Sequence, residues 1–247
     1  MNERRRNWIT WVFVAATIAI VALMMLGSLQ KPEPIQLPVT DSVGDENSSD
    51  TEYDALTVID VTPETVQLAI ASLARPADYS RGITVEQIWS KGSTATETSV
   101  SVRDGWTRTD RSLPGGQIRH TITDGETTYI WYNTEDTVYV TAAGEISADM
   151  EQGIPTYEDV LLLPVDSIIT ADYRTISKVN CIYVETEPDE SGYEERYWVS
   201  VETGLLVAAE KLVDGEPIYR MAALTIDKTV PGAERFTLPD GNALIQE

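Results

Sequence analysis

The chain has 247 residues, of which 40 are acidic and 18 basic, giving a net charge of -22. Such a charge repels DNA, RNA and anionic lipid headgroups, which excludes nucleic-acid binding. The single cysteine, Cys181, rules out an internal disulfide framework and a paired-thiol redox site, so stability must come from a hydrophobic core.

Residues 1–7 form a basic stub carrying Arg4, Arg5 and Arg6. Residues 8–29 follow, 22 positions without a charge or a proline. At ~1.5 Å per residue the run is roughly 33 Å long as a helix, enough to cross a hydrocarbon core of ~30 Å. Arginines before it and Lys31-Pro32-Glu33 after it predict a cytoplasmic N-terminus and an extracytoplasmic remainder. A cleaved signal would carry an apolar region of only ~7–15 residues and an A-x-A site, which this run lacks. Ser28 after Leu26-Gly27 leaves no thiol for lipidation. The expectation is a single-pass signal-anchor in the cell membrane.

Residues 30–55 read as a linker. Pro32, Pro34 and Pro38 favour extended backbone, and residues 41–54 are too rich in Asp, Glu, Ser and Asn to build a core. A calcium loop around Asp45, Asn47 and Ser49 fails, with Asp50 in place of the required Gly and Leu56 in place of the closing Glu.

Residues 56–247 are expected to form one extracytoplasmic domain. Thr62 suits a helix N-cap, Pro63 the first helical position and Glu64 the positive end of the dipole. Val66, Ala69, Ile70 and Leu73 form an apolar stripe, Val61 and Val66 have staple spacing, and Pro76 stops the helix. From residue 82 to 141 the period becomes two, with Ile83, Val85 and Trp89, then Thr98, Val100 and Val102, then Ile118, His120 and Ile122. Asp104-Gly105 and Asp124-Gly125 are hairpin turns. The strand of Tyr129, Ile130, Trp131 and Tyr132 is apolar on both faces, which predicts cover on both sides of the sheet. Residues 157–173 break the alternation and suit short apolar helices or a lid-like crossover. Strands resume at 179–186, 193–201, 205–213 and 218–227. Nine to eleven strands with helices before and between them predict an α+β fold with a large curved antiparallel sheet.

The run Thr123-Asp124-Gly125-Glu126-Thr127-Thr128-Tyr129-Ile130-Trp131-Tyr132 resembles the DG-x-x-x-Y-x-Y hairpin of the lipoprotein-carrier (LolA-like) superfamily. Tyr197 to Leu206, with Glu202-Thr203-Gly204-Leu205, is similar to that superfamily's D-x-x-T-G-L-P turn. Phe236-Thr237-Leu238-Pro239-Asp240-Gly241 is similar to its closing F-x-x-P-x-G. The opening helix with Pro76 and Tyr79 resembles lipoprotein-carrier-like domains of monoderm spore formers, including those linked to germination. The resemblance spans about residues 57–241 with the hairpins in order. It implies an incomplete β-barrel wrapped on helices, binding acyl chains or envelope proteins. Two departures stand out: an anchor replaces the cleaved signal or lipobox Cys, and the lid-holding Arg of true carriers has no assigned position. The 26 linker residues give a reach of ~25–30 Å if flexible, too short for shuttling across a periplasm.

Catalytic motifs (GxSxG, HExxH, P-loop) are absent, so no enzyme is expected. His120 and Cys181 alternate with apolar residues and read as core-facing, and zinc lacks ligands. The carboxylates Glu185, Glu187, Asp189, Glu190, Glu194 and Glu195 surround Pro188 and Ser191-Gly192 and read as a solvated hairpin loop. No cofactor or metal is expected. Trp89, Val100, Val102, Trp106, Tyr129 and Trp131 are the expected ligand-binding residues, the lining of a greasy pocket if they share the concave face. Trp198, among Glu194, Arg196 and Ser200, is the expected partner contact. The resulting expectation is an anchored binding module for a lipid or lipoprotein acyl chain in envelope or spore assembly. The alternative is a scaffold holding another envelope protein, such as a protease, anti-sigma factor or cell-wall hydrolase.

Overall fold

In the computed structural model the described residues are 60–135, 137–143 and 154–245. The expected stub, anchor and linker lie outside them. None of the described helices is long and apolar enough to cross a membrane.

The described residues form two short helices and twelve strands. Helix α1 is Val66–Ser72 and helix α2 is Tyr157–Leu162. The strands are β1 Tyr79–Trp89, β2 Gly92–Arg103, β3 Trp106–Ser112, β4 Ile118–Thr123, β5 Thr127–Tyr132 and β6 Tyr139–Ala142. They continue as β7 Ile168–Ile176, β8 Val179–Thr186, β9 Tyr193–Ser200, β10 Leu206–Val213, β11 Glu216–Ala222 and β12 Ile226–Asp227. One open sheet runs in the order β6-β5-β4-β3-β2-β1-β11-β10-β9-β8-β7, with β12 paired to β1. Every pairing is antiparallel, and the two halves of the chain meet where β1 pairs β11.

Turn chemistry sets this register. Asp104-Gly105 and Asp214-Gly215 both adopt positive φ, the type I′ signature that matches strand twist, and they close β2–β3 and β10–β11. Asp124 Oδ1 accepts the amides of Glu126 and Thr127, closing β4–β5. Residues 157–173, read as helices or a crossover, are partly strand. After α2 and a single 3-10 turn at Val165–Ser167, Ile168–Ile176 becomes edge strand β7, held along β8 by eight register pairs. Ile168-Ile169 gave no alternation to signal it, because Ile168 is buried while Ile169 is exposed.

Helix α1 starts later than its sequence suggested. Thr62 opens a preliminary turn, its carbonyl accepting the Val66 amide, and the N-cap proper is Thr65. The apolar stripe is as expected: Val66, Ala69, Ile70 and Leu73 are buried, together with Val61. Burial of each large aliphatic among them stabilises by about 1.5–3 kcal/mol. Arg75 closes the helix end, donating to the carbonyls of Ile70 and Leu73 at 2.8 and 2.9 Å.

The two faces of the sheet carry separate cores. On one face the helices cover Ile83, Val85, Val100, Ile182, Val184, Val199, Leu206, Ala209 and Met221. On the opposite face the C-terminal segment lays Ala233, Phe236, Leu238 and Ile245 over Ile122 and Trp131, with Trp106 and Tyr129 packed alongside. The two-sided apolar pattern of β5 is explained by this arrangement: Ile130 is covered on one side and Trp131 on the other. The segment is pinned by polar contacts as well. Arg108 donates to the Arg235 carbonyl and to Asp110, Arg103 donates to the Pro231 carbonyl, and His120 Nδ1 lies 2.7 Å from Asp110.

Candidate functional site

Helix α2 is a short element that depends on its neighbours. Thr156 and Asp159 form a capping box at its start, and Val160 anchors it in the core. Of its C-terminal carbonyls only that of Val160 accepts a local amide, from Leu163 at 3.4 Å. Gln67 of α1 supplies a further donor: its side-chain amide nitrogen approaches the carbonyls of Val160, Leu161 and Leu163 at 3.0, 3.2 and 2.8 Å. Two hydrogens serve three acceptors, so the bonds are shared. Tyr157 packs under the Arg75 guanidinium, 3.6 Å from the ring centroid. The inter-helix clasp is thus made by Gln67 and Arg75, neither of which the hydrophobic pattern singles out. Gln67→Leu is expected to leave the Leu161 and Leu163 carbonyls unsatisfied, at a cost of about 1–3 kcal/mol. Hydrogen exchange read by mass spectrometry should show faster exchange in residues 157–163 and unchanged protection in β8.

Between α2 and the sheet lies a cleft of about 560 Å³. Ile154, Pro155, Leu162, Leu163 and Pro164 form the lid side; Tyr197, Ala209, Lys211 and Tyr219 form the floor, with Asp159, Glu195 and Glu210 at its margins. The floor residues come from β9, β10 and β11, whose register aligns Tyr197 with Ala209 and Lys211 with Tyr219 on the helix-covered face. Polar groups on the floor are paired. Glu195 accepts from the Tyr197 hydroxyl at 2.7 Å and from Lys211 at 3.2 Å, and Lys211 lies 4.5 Å from the Tyr193 ring centroid. Desolvation pushes the Tyr219 phenol up to about 12, the Arg111 guanidinium acting in the opposite sense. Desolvation, with the bond to Glu195 and its charge, also raises Tyr197. Both phenols stay neutral at physiological pH and present ring faces rather than charge. The cleft is mostly apolar, and its Tyr197, Glu195 and Lys211 polar groups are bound to one another.

The expected pocket residues do not share one surface. Val100 and Val102 lie on the helix-covered face, Val100 in its core and Val102 packed against it. Trp106, Tyr129 and Trp131 lie on the opposite face beneath the C-terminal segment. Trp89 stands at the β1–β2 turn, 51% exposed. Side chains on alternate faces of one strand cannot line one pocket, and the three aromatics pack a core instead. Trp198 is half-buried, its ring 5.0 Å from that of Tyr183. Besides Trp89, the exposed large apolar residues among those described are Leu68 on α1, Leu162 on α2, Val165 after it, Ile169 on β7, Tyr139 and Val140 on β6, and Val230.

Cys181 is fully buried, and desolvation raises its thiol to about 12, leaving it an inert packing group. His120 is paired with Asp110 and stacked on Trp131 at 5.1 Å, part of the clasp on the C-terminal segment. Glu187, Asp189 and Glu190 are exposed in the β8–β9 turn, where Asp189 accepts the amides of Ser191 and Tyr193. Glu185 and Glu195 belong instead to the flanking strands and are paired with Arg196 and Lys211. Among the described residues no three His, Cys, Asp or Glu side chains are grouped to hold a metal ion.

Solved LolA-superfamily structures are among those the chain is similar to. One, a LolA superfamily protein from Nitrosomonas europaea, is 9% identical over 72% of this chain and 98% of its own, with a TM-score of 0.34. The lipoprotein LppX of Mycobacterium tuberculosis is 12% identical over 68% of this chain and 95% of its own, with a TM-score of 0.38. MucB, solved in complex with MucA(peri), is 13% identical over 70% of this chain, with a TM-score of 0.44. The chain spans 58% of the length of MucB. No family model matches the chain, and no curated protein sequence does. All three TM-scores lie below 0.5.

Proposed function

We propose that this chain is a membrane-anchored, extracytoplasmic binding module for a hydrophobic ligand, a lipid or a lipoprotein acyl chain, in envelope or spore assembly. The observation that carries this reading is the cleft of about 560 Å³ between α2 and the floor of β9, β10 and β11. Pockets for small ligands run from about 300 to 1,000 Å³ and are mostly apolar with a few placed polar groups. Residues 8–29 would hold the domain at the bilayer, within reach of lipid leaving it. Binding rather than catalysis accounts for an inert Cys181, a His120 committed to Asp110, and carboxylates that are either exposed or paired.

The test is uptake of a fluorescent fatty acid by the full chain in non-ionic detergent. Ala209→Phe fills the floor of the cleft, and Leu162→Glu places a charge at an exposed lid position. Each is expected to weaken uptake at least tenfold with the near-ultraviolet circular dichroism unchanged. Uptake equal to that of the unaltered chain in both folded variants would contradict the reading.

A second reading has its own observation. Leu162, Val165 and Ile169 are exposed just before and on β7, the end strand of the sheet among the described residues, and a sheet edge can accept an added strand. A scaffold that holds another envelope protein would use this edge. In that case Ile169→Lys would abolish partner capture and leave fatty-acid uptake untouched.

A further inference from the structure

The helix-covered face is not apolar throughout. From β2 to β5 it carries threonines and arginines. Thr98 of β2 is aligned with Ile83 of β1, Arg111 of β3 with Thr98, Arg119 of β4 with Arg111, and Tyr132 of β5 with Arg119. Ile83 belongs to the helix-side core, so the whole row points to that side. Arg111 and Arg119 are therefore direct cross-strand neighbours, with Cβ atoms about 4.5–5.5 Å apart. Like charges in that relation are destabilising.

Arg119 is 3% exposed, and its Nε and Nη2 are buried without a hydrogen-bond partner. Thr98, 2% exposed, also leaves its Oγ1 without one. In the next row Arg81 spends Nη1 on the Leu206 carbonyl, its Nε has no partner, and desolvation lowers its pKa. Among the described residues no carboxylate forms an ion pair with Arg119, in a chain with 40 acidic residues to choose from. A buried guanidinium left unpaired is among the most unfavourable arrangements in a protein interior. Its forked donors fit the oxygens of a carboxylate or a phosphate. The row and the cleft share one face of the sheet: Ile83 of the row belongs to the same core as Tyr197 and Ala209 of the cleft floor, with Tyr219 packed against it.

We infer that Arg119, with Arg111 beside it and Thr98 at its flank, seats the anionic head of the ligand, so that the ligand class is a carboxylate- or phosphate-headed amphiphile. This rests on the binding reading above and narrows it. A neutral amphiphile leaves the guanidinium unpaired and is selected against; an anionic one supplies the missing acceptors. In this account Arg119 is a burden on the ligand-free fold and an asset only to the complex.

The experiment titrates the full chain in non-ionic detergent at pH 8 with oleate, oleyl phosphate and oleyl alcohol, and counts bound ligand by native mass spectrometry. The expected result is at least tenfold tighter retention of one or both anions than of the alcohol; which anion is preferred identifies the head. Arg119→Met should bring the anions down to the level of the alcohol, leave the alcohol unchanged, and leave the melting temperature of the ligand-free chain equal or higher. A residue with a merely structural role would lower it. Arg111→Met, at a partly exposed position, should reduce the same preference and serves if Arg119→Met does not fold. Equal retention of all three ligands, or an anion preference that survives in the folded variants, would overturn the head-group inference and leave the acyl-chain reading standing. Retention of none by the unaltered chain would overturn both.

Discussion

Phe236→Ala is expected to destabilise the domain by about 3–5 kcal/mol, the range for removing a fully buried aromatic side chain. Phe236 is 0% exposed and sits at the centre of the core that joins the C-terminal segment to β4 and β5. Ile122, Trp131, Leu238 and Ile245 surround it. The loss exceeds what an average core position would give, because a segment without regular strands lies over this face. Its backbone is tied by few bonds: the Leu244 amide to the Phe236 carbonyl, the Leu238 amide to the Asn242 carbonyl, and the arginine bonds to the carbonyls of Pro231 and Arg235. Urea unfolding followed by tryptophan emission checks this. The midpoint should fall with the slope little changed, and native-state emission should move to the red as Trp131 and Trp106 gain water. A midpoint shift worth under about 1 kcal/mol would mean that the segment contributes little to holding the outer face.

Gly204→Ala is the second large effect. Gly204 has φ +63, and a Cβ there would stand 2.9 Å from the Ala74 carbonyl oxygen, 2.9 Å from Arg75 Cγ and 3.2 Å from Leu73 Cβ. The first of these is backbone and has little room to move. The Thr203-Gly204-Leu205 turn therefore docks directly on the end of α1, which makes it a packing contact as well as a strand connection. Left-handed backbone at a non-glycine residue costs of order 1–3 kcal/mol, and overpacking adds about 1–3 kcal/mol. Gly215→Ala is the control. Gly215 also has a positive φ, +75, but nothing lies within 4 Å of its added Cβ. The two variants share the backbone penalty, so the difference between their urea midpoints isolates the contact with α1. Equal losses would show that the turn does not bear on the helix.

These two positions also show what the sequence makes legible. Phe236 and Gly204 lie in the closing and turn motifs through which the chain resembles lipoprotein carriers, and both have packing reasons for being there. Period-two alternation placed most strands, because most have one face against a core; β7 showed none, and β6 has no buried position. The doubled apolar character of β5 announced cover on both sides, which Ile130 and Trp131 now locate. The pattern was silent on which core lies on which side. Alternation gives relative facing within a strand, whereas the assignment of Trp106, Tyr129 and Trp131 to the pocket needed the register across β1 to β5 and the return of residues 233–245. Trp131→Ala is accordingly expected to open the outer core, where Trp131 is 7% exposed, rather than to act on the cleft.

The cleft itself was half legible. The run from Val160 to Pro164 read as lid-like, and Leu162, Leu163 and Pro164 do line it. Its floor was not. Tyr197, Ala209 and Tyr219 are spread over three strands, and nothing local distinguishes a floor tyrosine from any other strand aromatic. Gln67 and Arg119 were hidden for a related reason. A buried polar side chain is informative only through its partners or their absence, and both depend on residues distant in sequence. For Gln67 the partners are about 95 positions away. For Arg119 the signal is the register with Arg111 and two donor atoms without acceptors.

The measurement that bears most directly on the central claim is native mass spectrometry of the full chain, isolated from its own envelope in mild non-ionic detergent. A reproducible added mass that disappears on solvent extraction, and is missing from Ala209→Phe, is the predicted result, and analysis of the extract would identify the ligand. A bare chain mass in every preparation, with no uptake of added fatty acid, would contradict it, and the exposed edge at β7 would then be the place to look for a protein partner.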